Sequence, residues 1–165
     1  MAGSGGREFV KKLLGSYIRH YPRTAAALVF GCATLVVQHI AWMPEARTSG
    51  LVPALTLGVG LAHAVAGALT GPLLVDGIRV RTSSQAGLIG AGTSLIALII
   101  FTSAFSAYMF ATDVHPVGAV SYLAFTLLTA VFAFLGDAWA LFLVSIVLGW
   151  ALFRIAAFAG VTEGR

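Results

Sequence analysis

Residues 51–75 read LVPALTLGVGLAHAVAGALTGPLLV, with no Asp, Glu, Lys or Arg anywhere in the run. As a helix rising 1.5 Å per residue the run is about 38 Å long. That crosses a hydrocarbon core of about 30 Å, with tilt or a bend near Pro72 taking up the excess. A soluble protein of this size would bury one such helix at most. Here uncharged runs of similar length also fill 24–43 and 86–111. Residues 117–161 are apolar throughout except for Gly136-Asp137 and Arg154.

The last run would form a single helix of about 65 Å, twice a membrane thickness. Two spans hinged at Gly136-Asp137 fit better. The expected spans are therefore 24–43, 51–75, 86–111, 117–135 and 138–159. Composition points the same way. The 165 residues are 59% hydrophobic and only 10% charged, with a mean hydropathy of +0.95, whereas a soluble domain carries about a quarter of its residues charged. The predicted fold class is all-α: a polytopic transmembrane helical bundle of five spans. Four spans is the alternative, with 138–159 failing to cross because Arg154 lies inside it.

Residues 1–23 precede the bundle as a flexible tip and a short helix. Phe9, Val10, Leu13, Leu14, Tyr17, Ile18 and Tyr21 recur at the spacing of one helical face. Glu8, Lys11, Lys12, Ser16, Arg19 and His20 occupy the other. Too short and too charged to span, this segment reads as a basic amphipathic helix lying in the headgroup plane and stopped by Pro22. The bundle then occupies 24–161, and 162–165 are a tail.

Orientation follows from the cations beside the spans. Arg7, Lys11, Lys12, Arg19 and Arg23 precede the first span and Arg79 and Arg81 lie between the second and third, while the first outer loop holds Arg47 alone. Seven against one places the N-terminus inside, in a bacterial inner (plasma) membrane or an organellar inner membrane. Five spans would then leave Arg154 and Arg165 outside, a mild departure from the rule that snorkelling of the long Arg154 side chain accommodates. The net charge of +4 is accounted for by this asymmetry and by lipid headgroups, not nucleic acid. Lys11, Lys12, Arg19, Arg79 and Arg81 are the expected lipid or phosphate contacts. Asp76 and Asp137, returning to the same side, are available to pair with the two loop arginines.

Small residues mark the expected packing face. Gly60, Ala64 and Ala68 stack four apart, Gly67 and Gly71 form a G-x-x-x-G, and Ala86, Gly90 and Ser94 lie at the same spacing in the third span. Since lipid offers no hydrophobic drive for helix association, such residues let backbones approach. The second and third spans are accordingly expected to form the tight centre, with the phenylalanine-rich fourth at the periphery. Cys32, the lone cysteine, reads as a small buried apolar residue.

His63 is the residue most suggestive of chemistry, since an ionisable group at mid-membrane is expensive. Its imidazole suits a haem, a chlorophyll magnesium, a metal or a proton relay. The plainer role is a hydrogen bond to a hydroxyl on a neighbouring helix, with Thr102, Ser103 and Thr126 at similar depth. His39 makes a poor second axial ligand, because the two histidines differ in depth by about 12 Å. There is no H-E-x-x-H, G-x-S-x-G, P-loop or carboxylate pair within one span, so no catalysis is expected. No particular cofactor follows from the residues. The reading the sequence favours is a non-catalytic accessory or scaffold subunit of a larger membrane complex, partnered by lipids and by other membrane subunits or itself. A small transporter or channel with a path lined by His63 and nearby hydroxyls is the second reading, and a pigment- or haem-binding subunit the third.

Overall fold

The computed structural model describes residues 4–42, 51–75, 82–112, 118–133, 136 and 138–159. Among them are six helices: α1 (Ser4–His20), α2 (Pro22–Trp42), α3 (Leu51–Val75), α4 (Ser83–Thr112), α5 (Ala119–Ala133) and α6 (Trp139–Phe158). The described residues contain no strand.

Four of the helices are long and apolar enough to cross a membrane: α2, α3, α4 and α6. α5 is not. Its apolar stretch, Ala119–Val131, spans only about 20 Å at helical rise. The four-span alternative located the shortfall at 138–159, whereas among the described residues α6 is long enough and the shorter apolar helix is α5. Arg154 does not interrupt α6 because it sits near the helix end, exposed, with its guanidinium carbon 5.5 Å from the centre of the Trp150 ring.

Chain direction emerges from the contacts. On α3, Gly71 faces Pro22 and Ala26 while Gly60 faces Leu35, so α2 and α3 are antiparallel. On α4, Gly90 faces Ser145, and Gly149 of α6 faces Ala86, so α4 and α6 are antiparallel as well. Ala26, Phe30, Leu74, Ala86 and Leu152 form one core cluster, which gathers the start of α2, the end of α3, the start of α4 and the end of α6 at a single end of the bundle. α1 joins that end: Ile18 packs with Ala25 and Ala156, and the Lys11 ammonium lies 5.1 Å from the centre of the Phe158 ring. The five-span expectation put the chain ends at opposite ends of the bundle, whereas α1 and the end of α6 are neighbours.

The tightest packing also differs from expectation. α2 against α3 is the most extensive helix pair, α4 against α6 the next, and α3 against α4 only third. The small face of α3 is turned to α2: a Cβ on Gly67 would come within 2.8 Å of the Ala26 carbonyl oxygen, and one on Gly71 within 2.6 Å of the Pro22 oxygen. Ala64 meets Gly31 of α2, and Ala68 is half-buried. Gly90 is turned to α6, where a Cβ on Gly149 would come within 3.0 Å of its Cα. The bundle is thus two glycine-seamed pairs set side by side.

α5 is held mainly by α4. Tyr122 donates to the Ser103 carbonyl at 2.9 Å, and Phe110 packs its ring against those of Tyr122 and Phe125. α4 begins three residues before its expected start because Thr82-Ser83-Ser84-Gln85 is a capping box. The Gln85 N–H donates to Thr82 Oγ1 at 3.3 Å and the Thr82 N–H to Gln85 Oε1 at 3.2 Å. Cys32 is exposed rather than buried, because α2 turns Ala26, Phe30, Thr34 and Gln38 inward at four-residue spacing and Cys32 falls off that row.

Candidate functional site

Hydroxyls and an imidazole stitch the two glycine-seamed pairs together. His63, midway along α3, is 4% exposed. Its Nδ1 lies 3.0 Å from the Val59 carbonyl oxygen and its Nε2 3.2 Å from Ser94 Oγ of α4. A carbonyl can only accept, so Nδ1 carries the proton and Nε2 accepts from the Ser94 hydroxyl. Ser94 in turn accepts from Ser145 of α6 at 3.3 Å. Three helices are joined by one directed chain of hydrogen bonds: Ser145 to Ser94 to His63 to Val59.

A second polar contact between α3 and α4 is a threonine pair. Thr70 Oγ1 and Thr93 Oγ1 are 2.7 Å apart. Each hydroxyl also reaches the carbonyl one turn back, Thr70 to Ala66 at 3.0 Å and Thr93 to Ile89 at 2.9 Å.

His63 therefore has a hydroxyl partner on another helix, but not one of the three expected by depth. Thr102 donates to Leu98 and Thr126 to Tyr122, each within its own helix, and Ser103 is engaged through its backbone carbonyl. Of the actual partners, Ser94 was expected only as a small packing residue of the third span, and Ser145 was not singled out. Ser145 with Gly149 is a small-x-x-x-small pair that the sequence does display. His39 is exposed on the outside of α2.

A cavity of about 330 Å³ opens beside His63, away from the end where α1 lies. Gln38, Thr56 and Thr129 contribute its other polar side chains, and Phe101, Phe105 and Leu141 its larger apolar ones. A separate groove on the outer side of α3 and α4 shares Leu55, Phe101 and Phe105 with it.

Of the expected lipid contacts, Lys11, Lys12 and Arg19 are exposed on α1; Arg79 and Arg81, with Asp76 and Asp137, lie outside the described residues. No group of three or more His, Cys, Asp or Glu side chains among the described residues could hold a metal ion. No protein-family model, curated protein or solved structure matches this chain.

Proposed function

We propose that this chain is a non-catalytic integral membrane protein that serves as an accessory or scaffold subunit of a larger membrane assembly. The observation that carries the reading is the directed chain Ser145–Ser94–His63–Val59, in which both ring nitrogens of the one deeply buried histidine among the described residues are engaged by protein groups. An axial ligand of haem or chlorophyll needs a ring nitrogen free, which weighs against the pigment reading. An imidazole that cross-links helices is a packing element.

In this reading α2, α3, α4 and α6 cross the bilayer and both ends of the described chain face the cytoplasm or its equivalent. Arg154 then joins the inner cations, and the orientation rule that five spans violated is satisfied. α1 lies in the inner headgroup layer, with Leu14 and Ile18 against the bundle and Lys12 and Arg19 towards phosphates. Outward rows such as Leu61, Val65 and Leu69 on α3, all at least half exposed, face lipid or partner helices.

Native-membrane affinity purification with mass spectrometry tests the assignment. Membrane subunits co-eluting in fixed proportion are expected. A chain recovered from native membranes without any stoichiometric partner overturns the scaffold reading.

A further inference from the structure

Beside the Ser94–His63 chain stands a polar side chain that it does not engage. Gln38 of α2 is only 8% exposed, lines the cavity, and no hydrogen bond among the described residues reaches its carboxamide. An amide that opens into an enclosed cavity rather than bulk water gains from a partner there. Its NH2 group is a donor and its oxygen an acceptor, and here they border a space of about 330 Å³, the lower end of the range for small-molecule sites.

The rest of the wall narrows the occupant. None of the described lining residues is charged, so the described wall offers an ion no counter-charge. Phe101 and Phe105 lie nearly parallel, with ring planes 16° apart and centroids 6.2 Å apart, and both border the cavity. They offer flat aromatic faces suited to a planar ring. The threonines Thr56 and Thr129 add hydroxyls to an otherwise apolar lining. Access is lateral: Leu55, Phe101 and Phe105 also border the groove of about 570 Å³ on the outer side of α3 and α4, so these three side chains stand between the cavity and the bilayer.

We infer that this cavity is a binding site for a neutral, lipid-soluble molecule with a planar ring bearing a carbonyl oxygen, the carbonyl accepting from Gln38 and the ring lying against Phe101 and Phe105. The inference holds whether or not the chain assembles with other subunits.

Equilibrium binding to the full chain in phosphatidylcholine nanodiscs, with empty nanodiscs subtracted, tests it. The probe is 2-methyl-1,4-naphthoquinone and the control is 2-methylnaphthalene, the same ring system without carbonyls. Saturable binding of the quinone is expected, about tenfold tighter than the hydrocarbon. Gln38→Leu keeps the apolar volume and should erase that preference while leaving hydrocarbon binding unchanged. Ala133→Phe, at the cavity wall, should block both. Absence of saturable binding to the wild type, equal affinity for the two probes, or an undiminished quinone preference in a folded Gln38→Leu protein each overturns the site. If Ala133→Phe loses its helical content, the Gln38→Leu comparison decides alone. If Ala133→Phe folds and binds both probes as the wild type does, the probes occupy another place and the inference fails.

Discussion

The behaviour of His63 depends on rotation about a helix axis more than on depth. Thr102 and Thr126 stand at comparable depth, yet each donates to a carbonyl of its own helix, and Ser94 alone presents its hydroxyl to the ring. Depth can be counted along an apolar run. Rotation cannot be read from helices that are apolar all round, which is why the importance of His63 was visible in the sequence and its partner was not. The contact should be measurable as a coupling. In a double-mutant cycle of His63→Leu and Ser94→Ala, the pair should couple by about 0.6 kcal/mol, and no more than about 1.7 kcal/mol, as for other interhelical hydrogen bonds in membranes. Thermal or denaturant unfolding in detergent provides the readout. His63→Gln keeps an acceptor that can reach Ser94 and should cost less than His63→Leu. A coupling of zero would mean that the ring and the hydroxyl do not meet.

At the scale of elements, glycine position matters more than glycine content. Gly90 and Gly92 are two residues apart on α4 and have opposite surroundings. A Cβ on Gly90 would run into the Ser145 carbonyl oxygen and the Ile146 backbone, whereas one on Gly92 would meet nothing within 4 Å. Backbone cannot yield as a flexible side chain can, so Gly90→Ala should force α4 and α6 apart and stretch the Ser145–Ser94 bond. Gly92→Ala should be neutral, or stabilising by up to about 1 kcal/mol, because alanine is the better helix former. Melting temperatures of the two variants check this, and equal losses in both would place the α4–α6 seam elsewhere. The small-residue rows were legible in the sequence, but which helix each row faces was not. Gly60, Gly67 and Gly71 meet α2 and Gly90 meets α6, an arrangement set by the mutual fit of four helices rather than by any one of them. The capping box at Thr82–Gln85 was open to reading and marks the true start of α4.

For the molecule as a whole, the apolar runs set out the helical bundle, and the cation asymmetry carries the expectation of which end faces inward. Among the described residues four helices are long and apolar enough to cross a membrane, and α5, as apolar as a span, is the shorter one. With α6 ending beside α1, a C-terminal reporter should share the compartment of a cysteine label at Ser84, and a cysteine at Gly118 should label from the opposite side. A Cys32→Ser background removes the native thiol. A C-terminal reporter active only in the oxidising compartment would restore five crossings.

The direction of the buried hydrogen bonds also bears on conduction across this bundle. Ser145, Ser94 and His63 pass their donors one way and end on the Val59 carbonyl, an oxygen with no proton of its own to hand on. Thr70 and Thr93 hold two hydroxyl protons between them, so one donates to the other and the second ends on a backbone carbonyl, Ala66 or Ile89. A Grotthuss wire needs each member both to receive and to release. Both polar islands end on helix backbone, so the described interior holds no continuous donor relay from one end of the bundle to the other in this conformation.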